Sequence, residues 1–185
     1  MKFIRYFFIL AVAIFGVSLT DINAQNYAGG KQTFSNQLER KVFKELIKLP
    51  YYGLFDNIKY ELRGDTVILS GKVTVARNKK DAESAVEDID GIRQVINNIE
   101  ILPLSPFDDR IRYQLARTLA NRGGLYRYFW EPNPSVRLIV KRGHVSLEGY
   151  VANRGDYNLM NILANGVPNV FSVSNNLLIE KEINR

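Results

Sequence analysis

The side chains of this 185-residue chain that could do chemistry are few, and most of them are arginines. Between Phe107 and Ile179 stand Arg110, Arg112, Arg117, Arg122, Arg127, Arg137, Arg142 and Arg154, with Lys141, against five acidic residues. The preceding stretch, Asn36 to Leu102, balances 11 basic with 11 acidic residues. A guanidinium is a planar fork that binds phosphate oxygens in pairs, so this one-sided excess points to an anionic partner. Arg127 also lies within Leu125-Tyr126-Arg127-Tyr128-Phe129-Trp130, which holds the only Trp. Rings interleaved with a guanidinium suit a membrane interface, where aromatic groups sit at headgroup level, and they suit stacking on sugar or base rings. Arg110 and Arg117, seven residues apart, fall opposite the apolar Ile111, Leu115 and Leu119 of a predicted helix. The candidate membrane or ligand contacts are therefore Arg110, Arg117, Tyr126, Arg127, Tyr128, Phe129 and Trp130. The competing reading is a solvated helix face plus a loop that only covers a sheet edge, as Tyr51, Tyr52 and Phe55 could in the first half.

Catalytic chemistry finds little support. Without cysteine there is no thiolate, disulfide or Cys-ligated metal, and the single His144 excludes a multi-histidine site. His144 falls in a predicted turn with no serine or carboxylate arranged to partner it. Asp108-Asp109 opens a predicted helix, where two acids complement the helix dipole. Gly29-Gly30 and Gly123-Gly124 are not followed by the Lys-Ser or Lys-Thr of a phosphate loop. The expectation is a binding protein: not an enzyme, with no cofactor and no metal.

Residues 1–24 have the order of a secretory signal, with Lys2 and Arg5 before an apolar run from Tyr6 to about Leu19 and a short polar end at Ala24. Cleavage is expected between Ala24 and Gln25. Residues 25–35, with Gly29-Gly30, read as a flexible lead-in.

The elements that must position the arginines form an internal repeat. Val67, Leu69, Gly71 and Val73 recur at a constant offset of 78 as Val145, Leu147, Gly149 and Val151, and Asn97-Asn98 recur as Asn175-Asn176. Over Val67 to Ile101, eight of 35 positions are identical without a gap. Upstream, Leu38, Val42 and Leu46 match Ile111, Leu115 and Leu119 at an offset of 73, so the second copy carries five extra residues, and these fall at the aromatic loop. In each copy a helical stripe comes first, then two alternating strands around a turn, Arg63-Gly64-Asp65 or Lys141-Arg142-Gly143-His144. A second helix follows, with caps expected from Ser35 for the first helix and from Asn78 and Asp156 for the second of each copy. A last alternating strand closes each copy. The predicted architecture is α+β: two tandem units, residues 36–102 and 107–179, each with two helices on one face of a three-stranded sheet. Residues 103–106, with Pro103 and Pro106, form a stiff linker, and 180–185 a tail.

An alternating strand ending in Gly71 or Gly149, a helix, a Gly91-Ile92 or Asn169-Val170 step, and Val-x-Asn-Asn at Val95 to Asn98 and Val173 to Asn176 resemble the BON domain, named for bacterial osmotically induced and nodulation proteins. Two copies behind a signal peptide are similar to its tandem periplasmic members. The resemblance implies a non-enzymatic, periplasmic or envelope-associated protein, peripheral on a membrane, that binds phospholipid and supports envelope integrity under osmotic stress. It implies structural roles for Gly71 and Gly149, relieving crowding under a packed helix, and for Gly91, stopping a helix. The alternative is an adaptor that recognises another envelope protein or peptidoglycan. Export disfavours nucleic acid as a partner.

Overall fold

The structure, a computed structural model, describes residues 26–27, 37–129 and 133–180. The signal segment, its cleavage site at Ala24 and Gln25, Ser35 and Trp130 lie outside the described residues. The first unit comprises α1 (Gln37–Ile47), β2 (Asn57–Arg63), β3 (Thr66–Val73), α2 (Ala76–Glu87), β4 (Gln94–Asn97) and β5 (Glu100–Ile101), preceded by β1 (Asn26–Tyr27). The second comprises α3 (Pro106–Ala120), a short 3-10 helix (Leu125–Tyr128), β6 (Val136–Lys141), β7 (His144–Val151), α4 (Arg154–Asn165) and β8 (Ser172–Ile179). Helix-strand-strand-helix-strand thus occurs twice. In each sheet the hairpin is antiparallel and the last strand, beyond the crossover helix, pairs parallel to the middle one. The register sets Leu69 beside Tyr60 and Leu147 beside Leu138.

Amphipathic periodicity explains the layers. Val42 and Leu46 of α1, Ala82 and Val86 of α2, and Ile58, Val67, Leu69 and Val73 of the sheet are fully buried in one core. Ile111, Leu115 and Leu119 of α3, Met160 and Ala164 of α4, and Leu138, Val140 and Leu147 form the other. Each large apolar side chain so buried contributes about 1.5–3 kcal/mol. Within the expected flexible lead-in, Asn26 and Tyr27 instead pair with Tyr60 and Lys59, extending the first sheet at the β2 edge.

The helix caps differ from expectation. α2 starts behind Val75, which offers no side-chain cap, and Asn78 is fully buried in the first turn. Its amide donates to the Tyr51 carbonyl at 2.8 Å and to Asp56 at 3.0 Å. Asp56 also accepts from the backbone N–H of Thr74 and of Gly53, so a carboxylate from the preceding loop meets the donors around the helix start. In the second unit Asn153, not Asp156, is the cap: its side chain accepts from the N–H of Asp156 at 2.9 Å and donates back to that carboxylate at 2.8 Å. Asp108 does more than complement a dipole. Buried in the first turn of α3 behind the Ser105 cap, it accepts the N–H groups of Arg142 and Gly143 at 2.8 Å each, fastening the helix to the β6–β7 turn.

The repeated glycines also have another cause than expected. Gly71 and Gly149 have φ of 108° and 112°, and a Cβ at either would lie 2.0 Å from a carbonyl oxygen, of Asn57 or Ser135, at the start of the adjacent strand. The crowding comes from neighbouring backbone rather than from a helix above. Gly91 lies beyond the cap of α2, Asp88, so it shapes the following turn instead of ending the helix. Asn169 takes its place in the second unit at φ 67°, a left-handed backbone that Asn tolerates. Asn97 and Asn175 tie the last strands to the helices: Asn97 donates to the Lys79 carbonyl and accepts from Ile99 N–H, and Asn175 does the same with Tyr157 and Leu177.

The sheets turn their remaining faces toward one another. Arg137, Ile139, Glu148 and Tyr150 point away from α3 and α4, yet all are buried. Arg137 donates to the Gly53 carbonyl at 2.8 Å, the Leu138 N–H to the Leu54 carbonyl at 2.9 Å, and Lys59 pairs with Glu148 at 3.1 Å. Leu54 and Phe55, following α1, pack on the second core.

Candidate functional site

The outer face of α3 and the turns at its N-terminal end make the exposed basic and aromatic surface. Arg110 and Arg117 are exposed on that helix, with Tyr113 between them 70% exposed. Ser105 and Pro106 start the helix, which leaves Leu104 95% exposed immediately before it. Phe107 stands 5.9 Å from Phe171, and Phe171, 67% exposed, reaches across Gly143 toward His144 at 6.0 Å. The Phe171 N–H donates to the Gly143 carbonyl, so the segment before β8 is fastened to the β6–β7 turn. That turn needs left-handed backbone at Arg142 (φ 53°) and Gly143 (φ 78°), as a two-residue hairpin does, and it leaves Arg142 exposed. Leu104, Phe107 and Phe171 thus sit near exposed cations at one end of the second unit.

The inserted aromatic segment is divided between packing and exposure. Leu125 is fully buried, Tyr128 is buried and Phe129 packs against the second core, whereas Tyr126 is 59% exposed. The Tyr128 hydroxyl donates to Asp156 and accepts from the Ala152 N–H at 3.0 Å. Burial, reinforced by the Asp156 carboxylate, pushes its pKa up. Arg127 pairs with Asp156, donates to the Gly124 carbonyl and lies over the Tyr128 ring. The hydrogen bond to Tyr128 and the Asp156 charge raise its pKa, keeping it charged. The insertion therefore spends Arg127, Tyr128 and Phe129 largely on attaching itself to the start of α4.

Two further arginines are also occupied. Arg112 bridges Asp109 and the Val140 carbonyl, and Arg137 lies in the interface between the units. Arg110, Arg117, Arg122, Arg142 and Arg154 remain exposed, Arg154 stacked on Tyr157. Glu148 is almost fully enclosed. Burial raises its pKa, but hydrogen bonds from Ser146 and Asn176 and the Lys59 charge outweigh this and hold the carboxyl below the usual range. His144 is exposed, with Nδ1 2.7 Å from the Ser172 hydroxyl.

The sequence reading missed Leu104, Phe107 and Phe171. Leu104 between two prolines and Phe171 outside the strand alternation were the available signals, since neither has a place in a core stripe. Among the described residues no group of three or more His, Cys, Asp or Glu could hold a metal ion, and no helix is long and apolar enough to cross a membrane.

The family model described as BON domain matches residues 35–103 and 107–181. Among solved structures, the fold is similar to the C-terminal domain of CdsD, described as the structural protein of the type III secretion system of Chlamydia trachomatis. The identity is 11% and the TM-score 0.31, over 80% of this chain and 99% of that one. A second CdsD structure gives 11% identity and a TM-score of 0.29, over 80% and 96%. No curated protein matches.

Proposed function

The chain belongs to the BON-domain family, and from this premise we propose that it is a non-enzymatic protein of the bacterial periplasm that associates reversibly with anionic phospholipid surfaces and supports envelope integrity under osmotic stress. The single observation that carries this reading is the placement of exposed Leu104, Phe107 and Phe171 beside exposed Arg110 and Arg142 at the N-terminal end of α3, with exposed Arg117 further along the same helix. Apolar side chains that enter the headgroup region, flanked by guanidinium groups that meet phosphate, are the two halves of an interfacial contact. A basic residue near an anionic surface contributes about 1 kcal/mol. A few of them, with three apolar side chains, favour reversible docking over permanent anchoring. Tyr126, exposed on the 3-10 helix that follows the other end of α3, and Trp130 are proposed as a second, separate contact. Export through cleavage between Ala24 and Gln25 delivers the protein to that surface, and N-terminal sequencing of the exported protein tests this step.

Vesicle sedimentation tests the lipid contact. The double variant Phe107→Ser/Phe171→Ser and the double variant Arg110→Glu/Arg117→Glu should each release most of the protein from vesicles containing phosphatidylglycerol, with folding unchanged by circular dichroism. Undiminished sedimentation of both variants would move the contact elsewhere.

A further inference from the structure

Between the facing sheets lies a cleft of about 230 Å³ that the lipid reading does not use. Asn57, Lys59, Ser70 and Lys72 line it from β2 and β3; Ser146 and Glu148 line it from β7. The register explains the first wall, since Asn57 lies opposite Lys72 and Lys59 opposite Ser70, all four on the face turned from α1 and α2. Lys59 reaches across to Glu148, closing one side with an ion pair between domains.

Two polar groups on this wall are left over. Asn57 is 3% exposed, and its Oδ1 accepts no hydrogen bond. A buried acceptor without a donor costs about 1–3 kcal/mol, so a filled cleft is expected to supply one. Among the described residues the Lys72 ammonium forms no ion pair; Glu100, its neighbour across the strands, feels its charge but is bridged to Lys141, and Lys59 pairs with Glu148. A ligand that completes this wall would bring a hydrogen-bond donor for Asn57, a negative charge for the half-buried Lys72 and further hydroxyl partners for Ser70. The volume lies below the usual range for drug-sized ligands and suits a group of monosaccharide size.

We propose that the interdomain cleft is a binding site for a small acidic sugar, with the ligand's carboxylate on Lys72 and a hydroxyl donated to Asn57 Oδ1. Ligand in this position touches both domains and so stabilises their docking. Because the cleft shares no lining residue with the contact formed by Leu104, Phe107 and Phe171, its test is read separately from vesicle binding.

Saturation-transfer NMR on the mature chain, titrated separately with glucuronate, glucose and acetate, tests the site. Glucuronate should bind at least tenfold more tightly than glucose, which lacks the charge, or acetate, which lacks the hydroxyls. Lys72→Met, at a half-buried strand position, should reduce glucuronate to the level of glucose, and Lys72→Arg should retain the preference. Asn57→Ala should weaken glucuronate and glucose alike by about tenfold. Equal binding of glucuronate and glucose, an unchanged glucuronate titration in Lys72→Met, or no transfer to any probe, meaning that water alone fills the cleft, would each overturn the proposal.

Discussion

The Arg137 guanidinium lies over the Tyr52 ring, 4.2 Å from its centre, although the two residues belong to different domains. Tyr52 is itself fixed, its hydroxyl accepting from the Ile58 N–H at 3.1 Å, and burial pushes its pKa up despite the nearby Arg137 charge. The contact makes a basic residue part of the joint between domains and removes it from the surface that could meet phosphate.

Arg137→Ala should therefore cost about 3 kcal/mol, through the lost hydrogen bond to Gly53 and an emptied buried site. It should also separate the domains. Urea denaturation gives the first quantity and the radius of gyration from small-angle scattering the second. Arg137→Lys should restore little, since an ammonium lacks the stacking plane.

Acid should loosen the same joint. Glu148 and Glu100 both have pKa values held below the ordinary range: Glu148 because hydrogen bonds and Lys59 outweigh its burial, Glu100 chiefly through the Lys141 hydrogen bond. A depressed carboxyl contributes stability that is fully present above the unfolded glutamate value of about 4.3 and is lost as pH falls below it through the folded value. Thermal midpoints measured from pH 6 downward should fall in this window. Glu148→Gln, less stable at pH 6, should show a shallower decline.

The glycine positions separate strain from tolerance. Gly71→Ala or Gly149→Ala places a Cβ 2.0 Å from backbone oxygen at a left-handed residue and should cost at least about 3 kcal/mol. Gly91→Asn should change the denaturation midpoint little, because Asn169 already holds the equivalent position with positive φ.

Tyr128 and Tyr126 should divide in the same way between stability and binding. Tyr128→Phe removes the hydroxyl shared by Asp156 and Ala152 and should destabilise the fold by about 1–2 kcal/mol while leaving vesicle binding intact. Tyr126→Ser should leave the midpoint unchanged and weaken vesicle binding.

How much of this could be read in the chain differs by element. Period and offset located the helices and strands because each buries one stripe, as Val42 and Leu46 or Val145 and Leu147 do. The caps were misread where the satisfying group came from outside the helix: Asp56 serves the start of α2 from another segment, a pairing that no local pattern encodes. The charge count overstated the available arginines for the same reason. Arg112, Arg127 and Arg137 look like surface residues in sequence, and it takes partners from other elements, the Val140 carbonyl, Asp156 and the Gly53 carbonyl, to hold them. The burial of both faces along β6 up to Val140 and along β7 from Leu147 onward was equally hidden, because Arg137 and Glu148 preserve the polar alternation of a half-exposed strand while facing the other domain.

Co-sedimentation of the mature protein with phosphatidylglycerol-containing and with purely phosphatidylcholine vesicles, each at low and high salt, tests the central claim most directly. Binding to the anionic vesicles at low salt should fall steeply as salt screens the arginines, with little binding to the neutral ones. Equal, salt-insensitive binding to both kinds of vesicle, or none to either, would contradict it.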